Sequence, residues 1–327
     1  MSDWRPTATA EALRLRARLY AAIRDFFACR DVLEVETPIL SQAGNSDPNI
    51  SSFRTRFSGH VDGGAPDRWL RTSPEYPLKR LLAAGVGDCY ELGRVFRDGE
   101  CGRRHNPEFT LLEWYRVGWN HRRLMRETAE VVQRALALVG RGARVRETTY
   151  RALFLDALGI DPLRGDEAAL RGAMQAIAID PAGLSRDDCL DLLLTHRIQP
   201  TFAADELLLV HDYPATQCAL AKLRGGSRGD EPAVAERFEA YLGPIELANG
   251  YHELTDAMEQ RERFERDRSQ RRQRGQAVTP IDERLLAALA HGLPACAGVA
   301  LGVDRLLMAM MGADALAQVT AFPFARS

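Results

Sequence analysis

The residues best equipped for chemistry sit in one stretch, Glu91–Val117, which carries Arg97, Arg103, Arg104, His105, Asn106, Glu113 and Tyr115. Its composition predicts a β-hairpin. A run from Tyr90 to Phe96 leads into a polar connection, Asp98–Pro107, and a strand of β-formers from Phe109 to Val117 follows. Strand alternation puts Gly93, Val95 and Arg97 on one face of the first strand, and Glu113 and Tyr115 on one face of the second. If those faces coincide, a guanidinium, a carboxylate and a phenol share one space, with Gly93 leaving room for a ligand. Such a set suits an anionic group at one end and an ammonium at the other. The plain alternative is a solvated loop on an ordinary hairpin. A single arginine weighs little here, because 43 Lys+Arg include only Lys79 and Lys222 as lysines.

Three further places hold candidate groups. Turn signals at Gly243-Pro244 and Asn249-Gly250 bring Glu239 beside Glu246, with Glu253 a third acid in reach. Two close carboxylates repel unless a cation or proton lies between them, so Mg²⁺ shared with substrate phosphates is a natural occupant; a hairpin with solvated acids is the alternative. Cys296–Met310 reads as a glycine-interrupted strand entering an apolar helix. There Gly298 and Gly302 admit a ligand to the backbone, and Arg305 stands in the first helical turn beside exposed N–H groups. The glycine spacing departs from Gly-x-Gly-x-x-Gly, and no phosphate loop ending in Gly-Lys-Ser/Thr occurs. Thr72, Ser73 and Glu75 lie where a strand meets a helix, and Glu75 either favours the helix dipole or holds an amine.

These groups need elements to position them. Helical spacing of Leu15, Leu19, Ile23, Phe26 and Phe27 predicts a helix over residues 11–30, and Glu34–Leu40 follows as a strand limited by Pro38. That pair is either a dimer element or a simple surface unit. Ser41–Asp67 is expected to be a mobile loop, Pro77–Ala84 a helix, and Arg122–Val139 an amphipathic helix. Thr148–Arg197 reads as a small helical insertion without chemistry of its own. Strands return at Glu206–Val210, Leu223–Pro232 is a Gly-rich loop, and Met258–Gln273 is a solvated, mixed-charge helix.

Composition removes several classes of function. At 327 residues one large domain or two can form, and 46% hydrophobic with 27% charged residues is ordinary for a globular protein. A net charge of −2 argues against a general nucleic-acid binder. No apolar run approaches the roughly 20 residues that span a bilayer, and Met1–Thr9 lacks a signal-peptide layout. Six scattered cysteines without a Cys-x-x-Cys pair fit reduced thiols of a cytoplasmic protein.

Three stretches, in order, resemble the signature motifs of class II aminoacyl-tRNA synthetases: the helix with Glu34–Pro38, Phe96-Arg97 through Arg104–Thr110, and Gly298–Arg305. Thr-Ser-Pro-Glu-Tyr, Arg-His-Asn-Pro-Glu-Phe-Thr and Ile-Glu-Leu-Ala-Asn-Gly-Tyr-His-Glu-Leu-Thr-Asp are similar to the lysyl branch. The resemblance covers the chain from about residue 11. The first motif begins at Glu34, which leaves no space for an anticodon-binding barrel ahead of it. The sequence is therefore most similar to the freestanding paralogues that join (R)-β-lysine to translation elongation factor P.

The resemblance implies an α+β fold: an antiparallel sheet flanked by helices, with the helical insertion at about 120–200, in a single catalytic domain over 1–327. It implies ATP and Mg²⁺ as cofactors and a cytoplasmic homodimer, with no membrane association and no tRNA partner. It implies that Arg97 holds the α-phosphate and Arg305 the γ-phosphate. Asp98, Gly99, His105 and Asn106 would border ATP, Leu247 and Gly302 would line the adenosine, and Glu239 and Glu246 would hold Mg²⁺. Ser73, Pro74, Glu75, Glu113, Tyr115, Glu253 and Ala300 would surround the substrate. Gly99 stands where the family has Glu, so the adenine contact passes to Glu100 or to backbone. Ala300 replaces a glycine of the lysyl enzymes and favours a β-amino acid. Two rival readings stay open: a truncated lysyl-tRNA synthetase acting on tRNA, and a non-catalytic regulatory paralogue.

Overall fold

The computed structural model describes residues 4–60, 65–164, 167–225 and 231–327. The chain forms two compact units. The first comprises Met1–Gly118, Thr255–Cys296 and Ala300–Ser327; the second comprises Trp119–Leu254 with Ala297–Val299.

The first unit opens with helix α1 (Ala10–Ala28), capped by the Thr9 hydroxyl, which accepts from the Ala12 N–H at 3.2 Å. Its buried residues Ala12, Leu15, Leu19, Ile23, Phe26 and Phe27 recur every third or fourth position. Each larger side chain contributes about 1.5–3 kcal/mol by leaving water. The strand expected next shortens to β1 (Leu33–Glu34). It stops early because Thr37, three residues on, gives its carbonyl and hydroxyl to the Arg71 guanidinium at 3.1 and 2.9 Å. Strands β2 (Leu40–Ser41), β3 (Arg54–Arg56) and β4 (Asp67–Leu70) form a small antiparallel sheet in the order β2-β4-β3. After α2 (Glu75–Ala83) come β5 (Cys89–Phe96) and β6 (Glu108–Val117), an antiparallel pair with β1 parallel to β5. Phe27 stacks on Tyr90 at 4.5 Å and meets Trp114 edge-on at 5.4 Å, which seats α1 on this hairpin.

The second unit runs α3 (His121–Ala137), β7 (Arg144–Thr149), α4 (Tyr150–Leu158), α5 (Glu167–Met174), α6 (Arg186–Leu193), β8 (Glu206–Pro214), β9 (Leu223–Arg224), β10 (Val234–Leu242) and β11 (Ile245–His252). Its strands lie in the order β11-β10-β8-β7, with β9 beside β10. β10 is antiparallel to both β11 and β8, and β7 is parallel to β8. One sheet face packs Leu208, Val210 and Tyr241 against Tyr150, Phe154, Leu190 and Leu193 of the inserted helices. The other lies on α3. The Gly-rich stretch expected at Leu223–Pro232 yields β9 at its start; residues 226–230 lie outside the described residues. So does Asp166, at the expected start of α5.

The chain then returns to the first unit with α7 (Ala257–Gln273), α8 (Glu283–Gly292), β12 (Cys296–Gly302) and α9 (Val303–Met311). Two expectations change here. Helix α7 is not simply solvated: Arg263 and Arg271 are buried on it. The Arg271 guanidinium donates to the Ser46 carbonyl at 2.9 Å and the Asp47 carbonyl at 2.5 Å, and also reaches the Ile50 carbonyl. The loop expected to be mobile is therefore pinned between Ser46 and Ile50, and Ser46 Oγ adds a bond to Asp267 at 2.8 Å. Residues 61–64 of that loop lie outside the described residues. Antiparallel pairing flanked by helices is the expected fold class; the parallel pairs β1–β5 and β7–β8 make it mixed. Among the described residues no helix is long and apolar enough to cross a membrane.

Candidate active site

The β5–β6 register pairs Glu91 with Glu113, Gly93 with Leu111, Val95 with Phe109 and Cys89 with Tyr115. Partners across a ladder share a face, so Gly93 and Arg97 do look out beside Glu113 and Tyr115. The space over Gly93 is not left for a ligand, however. A Cβ there would lie 2.6 Å from Arg71 Nη2 and 3.2 Å from Glu91 Oε1. Two buried carboxylates face each other across this ladder, and like charges so placed need partners. Glu91 takes Arg71 at 2.5 Å and the Thr37 hydroxyl at 2.7 Å. Glu113 accepts from two hydroxyls, Ser73 at 2.7 Å and Tyr115 at 2.9 Å. Arg71 and Glu91 carried no functional expectation. Their signal was faint, a lone arginine two residues before Ser73 in an arginine-rich chain.

Ser73 precedes α2 and also accepts the Glu75 N–H at 2.9 Å, while Pro74 caps the helix without a side-chain bond. Glu75 begins the helix and takes the buried Lys79 ammonium at 2.6 Å, one turn on. Ser73 and Glu75 line a cleft of about 590 Å³ with Thr72, Tyr76 and Arg80.

Arg97 follows β5 directly. Its N–H donates to the Pro107 carbonyl at 2.8 Å, its guanidinium stacks 5.0 Å over the Phe109 ring, and Glu100 approaches to 3.6 Å. Its buried Nε has no hydrogen-bond partner, nor does Nε of Arg104. A buried cationic donor left in this way is costly unless something arrives to accept from it. Asp98 is fastened through its N–H to the Ser51 carbonyl at 2.8 Å. Gly99 has φ +84°, a left-handed conformation that disfavours a side chain. Asn106 is occupied in ordering the loop: it donates to the Glu108 carbonyl at 2.7 Å and accepts from the Phe324 N–H at 2.8 Å. Arg305 stands in the first turn of α9, with Nη2 2.7 Å from His105 Nε2. Desolvation of the ring and then the Arg305 charge lower the His105 pKa, so the neutral imidazole accepts from the guanidinium, although part of the side chain is exposed. Arg305 is held through its neighbour, since Asp304 accepts the Thr110 N–H at 2.7 Å and pairs with Arg16 of α1. Gly302 caps α9 and Ala300 is half-buried two residues earlier on β12.

In the second unit, Glu239 pairs with Asn249 and Tyr241 with Glu246, either side of a bulge that holds Leu247. Glu239 and Glu246 therefore share a face and flank the Tyr241 phenol. Burial, then these two carboxylates, raise that phenol's pKa far above its usual value. Glu239 is held by Arg237 at 2.5 Å and by the Tyr241 hydroxyl. The expected second turn is absent: Asn249-Gly250 lies inside β11. Gly250 is required there by packing, because a Cβ would meet the Phe238 ring at 2.4 Å and the Gly298 carbonyl at 2.9 Å. Glu253 consequently does not join the other two acids. Buried and bridged to Ala221, it lies seven residues beyond Glu246, roughly 23 Å along an extended strand.

The fold and these constellations define a class. The chain belongs to the class II tRNA synthetases of the D, K and N group, whose family model matches residues 1–326. Full-length relatives carry a narrower name. The chain is 45% identical over 326 residues to the elongation factor P–(R)-β-lysine ligase of Vibrio parahaemolyticus, covering 99% of this chain and 98% of that protein. It is 46% identical over 331 residues to the ligase of the same name from Yersinia enterocolitica, covering 100% and 99%. The Salmonella typhi ligase gives the same identity and coverage over 331 residues.

Proposed function

We propose that this protein is an ATP-dependent ligase that activates (R)-β-lysine as an adenylate and transfers it to a lysine side chain of elongation factor P. The observation that carries the reading is the β5–β6 face, where Arg97 keeps a buried donor without an acceptor while Glu113 and Tyr115 stand on the same side. A phosphate suits the first and an ammonium the second.

In the proposed reaction a β-lysine carboxylate oxygen attacks the α-phosphorus, the bond to the bridging oxygen breaks, and pyrophosphate leaves. Arg97 takes the α-phosphate and stabilises the charge that builds there. Arg305, oriented by Asp304 and by neutral His105, takes the γ-phosphate. Asp98, Gly99, Asn106, Leu247 and Gly302 form the nucleotide surroundings, several of them through backbone. Glu239 and Glu246 offer hard oxygen ligands on one face, which fits Mg²⁺, and Arg237 would then release Glu239. That ion would neutralise phosphate charge. Ser73, Pro74, Glu75, Glu113, Tyr115 and Glu253 receive the ammonium groups, and Ala300 shapes the space for a β-amino acid. The acceptor amine nitrogen then attacks the acyl carbon, AMP leaves, and an amide forms with loss of a proton. The proposed setting is a cytoplasmic homodimer. Leu13, Leu33, Ile39 and Leu40, all exposed along α1 and its following strands, support that assembly.

Amino-acid-dependent pyrophosphate exchange with (R)-β-lysine, (S)-β-lysine and α-lysine tests the activation half, and the mass of elongation factor P after incubation tests the transfer. The expected outcome is exchange greatest with (R)-β-lysine and one added β-lysyl mass. Charging of tRNA without any mass change of elongation factor P would overturn the assignment.

A further inference from the structure

On the α3 side of the second unit lies a cluster that the ligase chemistry does not use. His121 opens α3, and His211 and Asp212 lie near the end of β8. His211 pairs with Phe238, so it points to the face opposite Glu239. One donor atom from each of the three falls within 4.8 Å of the others, and among the described residues no other group of three His, Cys, Asp or Glu does so. We infer that His121, His211 and Asp212 form a binding site for one divalent transition-metal ion, with Zn²⁺ the best match.

Three observations carry this. The first is spacing. His121 Nε2 lies 3.3 Å from Asp212 Oδ1, and His211 Nδ1 lies 3.1 Å from Asp212 Oδ2. Ligands at about 2.0–2.1 Å around a tetrahedral ion stand about 3.3 Å apart, so with Asp212 Oδ1 as the ligand oxygen the edge to His121 already has that length, and the His211 donor lies within 4.8 Å. The imidazole centroids are 6.5 Å apart and inclined by 53°, so the rings are tilted and do not stack. The second is saturation. Both ring nitrogens of His121, Nδ1 of His211 and Oδ1 of Asp212 are buried without an aligned hydrogen bond, on side chains exposed by only 2%, 7% and 16%. Buried polar atoms this close together and without aligned hydrogen bonds leave a demand that a cation ligated by all three residues would meet. The third is outer support. Arg224 holds the second carboxylate oxygen of Asp212 at 2.9 Å, as outer partners of ligating carboxylates do.

The donor set, two imidazoles and one carboxylate, suits Zn²⁺, Co²⁺ or Fe²⁺ and disfavours Mg²⁺ and Ca²⁺, which take oxygen. A fourth position is left for water. Metal on His211 Nδ1 requires the proton on Nε2, where Arg122 now sits. Arg122 would then rely on Glu147, which it already holds at 2.7 Å. The ion would clamp the first turn of α3 to β8.

The test uses the full chain, stripped with EDTA and desalted, without ATP or Mg²⁺. Titration with ZnCl₂ should give one ion per chain and a raised Tm, and Co²⁺ should give visible d–d bands of a four- or five-coordinate site. Asp212→Asn keeps shape and should weaken Zn²⁺ binding at least tenfold, abolish the Tm rise and leave pyrophosphate exchange unchanged. His121→Ala should do the same if it folds, and Asp212→Asn decides the matter if it does not. No binding, or undiminished binding in Asp212→Asn (the result expected if the exposed thiols of Cys29 and Cys101 took the ion), would overturn the site.

Discussion

An orphaned donor separates Arg97 from Arg71. Arg71 spends its guanidinium on Glu91, Thr37 and the Arg94 carbonyl, whereas Arg97 Nε waits for an acceptor. Arg97→Ala is therefore expected to lower pyrophosphate exchange by about 10²–10³-fold, the scale of losing one transition-state donor, with Tm unchanged within a degree or two. Exchange within threefold of the parent would remove Arg97 from the reaction. Gly93 makes the opposite case, a residue that serves structure. Gly93→Ala drives a methyl into Arg71 and disturbs a buried pair opposite Glu113, so a loss of about 2–4 kcal/mol is expected in urea unfolding. A loss below about 0.5 kcal/mol would mean that Arg71 can step aside. Strand alternation was enough to place Arg97, Glu113 and Tyr115 together from the sequence. It could not place Arg71, because the pairing that brings it over Gly93 is not written in any local period. Gly250 misled for a related reason: a glycine needed by a neighbouring ring looks, in sequence, like a glycine needed by a turn.

Helix α7 and the loop it holds behave as one element. Periodicity fails on α7 because its buried positions are arginines that satisfy loop carbonyls, and no apolar stripe marks them. The same contact makes a pH-sensitive joint. Burial, with help from Asp47, raises the Asp267 carboxyl from 3.8 to about 6, against the opposing bond from Ser46. The folded state thus holds that proton more tightly than the unfolded chain does. Its contribution to stability is present below about pH 4, falls as pH rises to about 6, and is constant above. Asp267→Asn keeps an acceptor for Ser46 and removes the charge. Its advantage in stability over the parent is expected to grow from nothing at pH 4 to roughly 1–2 kcal/mol at pH 7 after solvent screening, followed by thermal melts at both pH values. Parallel curves for the two proteins would refute the assignment. By contrast α1 was legible almost to the residue, since its cap, its apolar stripe and its partner aromatics all agree.

For the molecule as a whole, the proposed dimer is the assembly to test. Leu40→Asp, at a side chain 49% exposed, should halve the mass seen by light scattering while Tm of the separated chain stays measurable. An unchanged dimer would move the interface elsewhere. The two-unit division was invisible in the sequence, because the first unit is discontinuous and its pieces are joined only in space. That discontinuity has a consequence for synthesis. Thr7 bonds to the carbonyls of Ala321 and Thr320, both at 2.8 Å, and Asp304 supplies the anchor for Arg16. A ribosome releases residues 119–254, all of the second unit but Ala297–Val299, as one contiguous block that can begin to condense while translation continues. The earlier-made N-terminal part has no such freedom: α1 and the Arg97 hairpin must wait, partly unclosed, until α9 and residues 320–321 have been made.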